Sequence, residues 1–124
     1  MQNKKILIVE DDSFLQGLVS RKLKASNYDV FIALSAQEGF KILEGGVVPE
    51  MILLDLLLPN IDGFEFLAKI RENPMLKSVP VIVFSNLSEE KDILKAKDLG
   101  INEFMIKSNF TLDELLEKIK SVLG

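Results

Sequence analysis

Five residues in this sequence have the types and positions to do chemistry together: Glu10, Asp11, Asp55, Ser85 and Lys107. Asp55 is central. Met51 to Leu54 is an unbroken apolar run ending in that one carboxylate, and Pro59, Asn60, Asp62 and Gly63 follow as turn chemistry opening into an amphipathic helix. Glu10 and Asp11 follow the apolar run Ile6 to Val9, Ser85 follows Val81 to Phe84, and Lys107 follows Glu103 to Ile106. Crowded carboxylates repel unless a cation or protons neutralise them, and Mg²⁺ suits hard oxygens that leave room for water and phosphate. A hydroxyl and an ammonium complete a phosphate cradle. The chemistry suggested is transfer of a phosphoryl group to Asp55 as an acyl phosphate; an ionised carboxylate is already a nucleophile and needs no base.

Each residue also has an ordinary structural role. Glu10 and Asp11 suit a helix start, Ser85 a turn, and Lys107 a strand end reaching for solvent. Together these roles would have to fall by accident at the same end of four strands. Asp12 and Asp62, with Glu65 three residues on, are assigned to helix caps.

The elements that must position these residues alternate. Strands are expected at Lys5 to Glu10, Val30 to Ala33, Met51 to Asp55, Pro80 to Phe84 and Glu103 to Lys107. Between them lie helices over Ser13 to Ser26, after a Ser35 and Glu38 capping box, over Gly63 to about Asn73, from a Ser88 cap to Gly100, and after a Thr111 to Glu114 capping box. The fourth helix has a thin apolar face, Ile93, Leu94, Ala96 and Leu99, so it is expected to be the least firmly packed. Continuous apolar strands are buried on both faces, which calls for a doubly wound α/β sandwich around a parallel sheet. Ligands of such sheets bind beyond the carboxyl ends of the strands, where all five residues fall.

Composition narrows the chemistry further. The 124 residues contain no Cys and no His, which removes thiol nucleophiles, imidazole bases and soft-metal sites. Lack of histidine fits a protein that receives phosphate from a partner. The length and the 48% hydrophobic content suit one self-sufficient domain, residues 1–124. A net charge of −4 argues against direct nucleic-acid binding, and neither a membrane-spanning run nor a secretory signal is present, so a cytoplasmic location is expected by default.

With these residues in order, the chain resembles the receiver domain of bacterial two-component response regulators over almost its whole length. The resemblance is carried by Glu10 and Asp11 after ILIV, by LLDLLLPNIDGFEFL around Asp55, by Ser85 after VIVF and by Lys107 after FMI. It implies the flavodoxin-like strand order 2-1-3-4-5 with five helices. It also implies roles: Asp55 as phosphoacceptor, Asp11 as a direct Mg²⁺ ligand, Glu10 as a ligand through water and Leu57 as a ligand through its backbone carbonyl. Ser85 would bind the phosphoryl group, Lys107 would pair with it, and Phe104 would be an aromatic switch moving with Ser85; by its position Phe104 is also an ordinary core residue of strand five. The implied partners are a histidine kinase or phosphotransfer protein and an unknown downstream protein at helix four, strand five and helix five.

Three departures from the family pattern carry expectations. Ser108 stands where the family usually has proline after the lysine, often with a cis peptide, so either a costly non-proline cis bond is kept or the loop is rebuilt. Leu57 and Leu87 are apolar where attacking water would approach, and Asn86 is larger than usual beside the hydroxyl, so slow hydrolysis and a long-lived signal are expected. Nothing follows Gly124, so the signal would leave by protein contact or by passing the phosphate on, unless this is a piece of a longer chain.

Other functions remain to be weighed. An aspartate-nucleophile phosphatase also forms an acyl phosphate, but expects a second acid at position 57, which is Leu57. A flavin-binding module on the same architecture is disfavoured by acids where a flavin phosphate would sit. A binding scaffold that keeps the acids without being phosphorylated is the remaining alternative.

Overall fold

A computed structural model describes residues 3–124 of the chain. In chain order the elements are β1 (Lys5–Val9), α1 (Ser13–Ala25), β2 (Asp29–Ala33), α2 (Ala36–Glu44), β3 (Met51–Leu54), α3 (Gly63–Glu72), β4 (Val81–Ser85), α4 (Glu90–Leu99), β5 (Glu103–Ile106) and α5 (Leu112–Leu123), with a 3₁₀ turn at Lys107–Asn109. The strands form one parallel sheet in the order β2-β1-β3-β4-β5, as expected.

Alternation within the apolar strands builds two cores from one sheet. Leu7, Val9, Ile52, Leu54, Val81 and Val83 face one side, where Phe66, Leu67 and Ile70 of α3 pack with Ala36 of α2 and Ala96 of α4. Ile6, Ile8, Met51, Leu53, Ile82 and Phe84 face the other, against Val19 and Leu23 of α1 and Leu115 and Ile119 of α5. Full burial of each such side chain is worth about 1.5–3 kcal/mol, so the sheet centre is the firmest part of the molecule.

The helix ends follow local chemistry with two corrections. Asp12 accepts from the amides of Phe14 and Leu15, Asp62 accepts from Glu65, and Thr111 and Glu114 form the reciprocal box. Ser35 caps Glu38 as expected, but the Glu38 carboxylate reaches past the cap to the Leu34 amide at 2.9 Å, so that box is offset by one residue. Ser88 is not a cap. The chain is still extended at Glu89, which becomes the N-cap with no side-chain bond, because its carboxylate turns towards Lys91. Strand edges shift by one residue: Pro80 lies outside β4, its carbonyl accepting from Ile52, while Ser85 lies inside it.

Helix α4 has Ala96 as its single buried residue and ends at Gly100 in a left-handed conformation, φ 94°. Its end is tied from outside. The Arg71 guanidinium of α3 donates to the carbonyls of Leu76, Lys77 and Val79 in the loop before β4, and to the Gly100 carbonyl at 2.7 and 2.9 Å. No helix of the described residues is long and apolar enough to cross a membrane.

Candidate functional site at the carboxyl edge of the sheet

Backbone pairing fixes the two principal acids. The Asp55 amide donates to the Val9 carbonyl and the Glu10 amide to the Ala33 carbonyl, each at 3.0 Å, so both residues continue the ladder one step past their strands. Ser85 is the last residue of β4, in register with Ile106, which places Lys107 just beyond it. Gly63 completes the positioning. A Cβ there would lie 2.5 Å from the Leu56 Cα and 2.6 Å from the Asp55 carbonyl oxygen, so the first turn of α3 closes on the loop after β3 only without a side chain.

Asp55 is 5% exposed and holds three donors. The Ser85 hydroxyl donates to Oδ1 at 2.7 Å, the Leu57 amide donates to the same oxygen at 3.0 Å, and the Lys107 ammonium donates to Oδ2 at 2.8 Å. Lys107 also contacts Glu10 Oε1 at 2.6 Å, and the Asp12 amide donates to Glu10 Oε2 at 3.1 Å. One ammonium thus bridges two buried carboxylates. Burial pushes the Glu10 carboxyl up to about 7, with the Asp55 charge adding to the rise while Lys107 and the Asp12 amide oppose it. Burial alone would lower the Lys107 ammonium, but its bonds to Asp55 and Glu10 outweigh this and hold it above its ordinary value.

Carboxylate oxygens of Glu10, Asp11 and Asp55 lie within 4.8 Å of one another, and Asp11 is exposed while the other two are buried. Two buried acids served by one lysine, with a third acid at the solvent side, fit a hard divalent cation held by oxygens and water. Glu10, Asp11, Asp55, Ser85 and Lys107 are therefore brought to one place. Phe104 is not part of that cluster: it pairs in register with Val83, is half-buried, and lines an open cavity of about 460 Å³ with Ile93, Lys97 and Ile101 of the α4 side.

Sequence reasoning missed three contributors. The Leu57 and Asp12 amides act through backbone N–H groups, which any residue carries, and Gly63 acts through an absent side chain; its place directly after Asp62 was the available signal. None of the peptide bonds among the described residues is cis, and Lys107 and Ser108 instead enter the 3₁₀ turn, so the loop is the rebuilt one of the two expected outcomes.

Residues 6–120 match the family described as the response regulator receiver domain. The chain belongs to this family. Among curated receiver-containing relatives, the response regulator Rcp1 of Synechocystis sp. is 35% identical over 129 residues, covering 96% of this chain and 86% of Rcp1. Its Mn²⁺-bound structure superposes with a TM-score of 0.82 at 34% identity, covering 96% of this chain and 91% of that one. The phosphorylated cyanobacterial phytochrome response regulator RcpA gives a TM-score of 0.83 at 34% identity, covering 97% and 91%. The DNA-binding dual master transcriptional regulator RpaA of Synechocystis sp. is 31% identical over 119 residues, 96% of this chain but 48% of RpaA. The chain spans about half the length of most of the curated relatives it matches. As a receiver domain of response regulators, it is a signalling module.

Proposed function

We propose that this receiver domain accepts a phosphoryl group on Asp55 from the phosphohistidine of a histidine kinase or phosphotransfer protein in the cytoplasm, and signals by changing the surface of α4, β5 and α5. The observation that carries the reading is the Asp55 carboxylate, buried yet bonded at once by the Ser85 hydroxyl and the Lys107 ammonium beside two further acids.

In the transfer, an Asp55 carboxylate oxygen forms a bond to phosphorus as the bond from phosphorus to the donor nitrogen breaks and the imidazole leaves. Lys107 offsets the negative charge that Asp55 and the incoming oxygens share, and holds the carboxylate in place before transfer. Mg²⁺ bound by Asp11, Asp55, the Leu57 carbonyl and, through water, Glu10 would neutralise the transferring oxygens and orient them. Afterwards the Ser85 hydroxyl, which donates to Asp55 in this structure, turns to a phosphoryl oxygen. Phe104 moves inward with Ser85, favouring a second conformation of the α4, β5 and α5 surface. The chain catalyses only its own phosphorylation and slow hydrolysis, Leu57 and Leu87 lying where water would approach.

The test is intact-protein mass after incubation with a small-molecule phosphodonor, with and without Mg²⁺, beside Asp55→Asn. A single Mg²⁺-dependent phosphoryl adduct absent from Asp55→Asn is expected. No adduct under conditions that label another receiver would sink this reading and leave a binding scaffold.

A further inference from the structure

On the α1 side of the phosphoacceptor lies a small feature that the proposed chemistry does not use. Gln16 lies on α1, and its Oε1 is a buried side-chain oxygen with no hydrogen-bond partner among the described residues. It lines a cavity shared with the Glu10 and Asp55 carboxylate residues and walled by apolar Ile8, Leu53 and Phe84. The volume, about 10 Å³, matches the roughly 10–15 Å³ that admits a single water. A buried amide oxygen left unpaired is destabilising. The polar side chains that share the cavity with it are carboxylates, which accept and do not donate when ionised. A water in that space has one proton to give to Gln16 Oε1 and a second for an acceptor among the residues that line it.

We propose that Gln16 is a positioning residue of the site: it anchors one internal water, which donates to Gln16 Oε1 and to a carboxylate oxygen of the Glu10 and Asp55 pair. The water braces that pair from the core side, opposite in role to Ser85 and Lys107, and fixes the carboxylate orientation on which cation and phosphoryl binding depend. This rests on the receiver reading of Asp55 for its consequence, but the water site itself does not.

The experiment has two parts. Water-to-protein cross-relaxation NMR on the full chain tests the site directly: a long-lived water signal at the amides around Gln16 and Glu10 is expected, and it disappears in Gln16→Met, which keeps the length and removes the acceptor. Mg²⁺ titration and phosphorylation rate then test its role. Both are expected to weaken roughly tenfold in Gln16→Met, the low end of the range for groups that orient metal ligands, with the melting temperature moved by only a few degrees. Absence of a long-lived water in the unaltered protein overturns the proposal, whether or not the variant folds. So does a water that persists in Gln16→Met, or a variant with unaltered Mg²⁺ affinity. Failure of the unaltered protein to form an Asp55 adduct would instead remove the receiver chemistry and leave the water site to be judged by the NMR and Mg²⁺ results.

Discussion

Replacing Lys107 by methionine keeps an aliphatic stem and removes the single ammonium shared by Glu10 and Asp55. Their nearest oxygens, within 4.8 Å, then repel by about 3 kcal/mol at an effective dielectric of roughly 20. The cost depends on both groups being ionised. Glu10 titrates at about 7 in the folded chain against an ordinary 4.5, so between those values the folded state binds more protons than the unfolded one. Stability in the metal-free protein therefore falls as pH rises through that window. Loss of Lys107 removes a contact that lowers the Glu10 value, so the window extends above 7 in the variant. Urea unfolding in chelator should show Lys107→Met destabilised by about 1–2 kcal/mol at pH 8, rising towards about 3 kcal/mol only where Glu10 is fully ionised, and by about 1 kcal/mol or less at pH 5, where a proton relieves the repulsion. Millimolar Mg²⁺ at pH 8 should recover much of the loss. A destabilisation equal at both pH values and indifferent to Mg²⁺ would refute the electrostatic reasoning and make Lys107 a packing residue.

Two further outcomes follow from particular contacts. Gly63→Ala should lose about 1–3 kcal/mol, the usual cost of overpacking, and accept phosphate more slowly, because its Cβ meets the Leu56 backbone and the Asp55 carbonyl; an unaltered melting curve would refute it. Leu87, whose amide lies 3.4 Å from the Ser85 hydroxyl, is half-buried at the site mouth. Leu87→Glu should shorten the half-life of the phosphorylated protein several-fold by orienting water, and an unaltered half-life would dismiss the idea that apolar residues slow hydrolysis.

Most of the architecture and the acidic site were legible because both are written at short range. An apolar run ending in a charged residue marks a strand and its carboxyl end together, and parallel pairing does the rest: Glu10, Asp55, Ser85 and Lys107 meet as their spacing requires. Caps that a short side chain makes to its own helix, Asp12 and Asp62, were equally plain. Ser88 misled because serine suits a cap wherever it falls, whereas the start of α4 is set by where the chain leaving β4 can turn. Contacts made at a distance were not legible. Arg71 and Gly100 are 29 residues apart, and neither carries a local signature of the other. Gln16 reads as one polar residue of an amphipathic helix until the cavity behind it is seen.

Arg71 makes five hydrogen bonds to four carbonyls, and the two to Gly100 have a mechanical consequence for α4. A ten-residue helix is about 15 Å long, and this one is clamped at Gly100 while its opposite end carries no side-chain cap and leads straight back to Ser85. Such an element answers a pull at Ser85 as a lever on a fixed fulcrum. A tilt of about 10° would carry the Glu90 end some 2.5 Å, roughly half a helical turn, and leave Leu99 almost still. Under the proposed switch, the geometry would turn the Ser85 hydroxyl's change of partner into a displacement graded along the helix, largest beside the site and vanishing at the clamp.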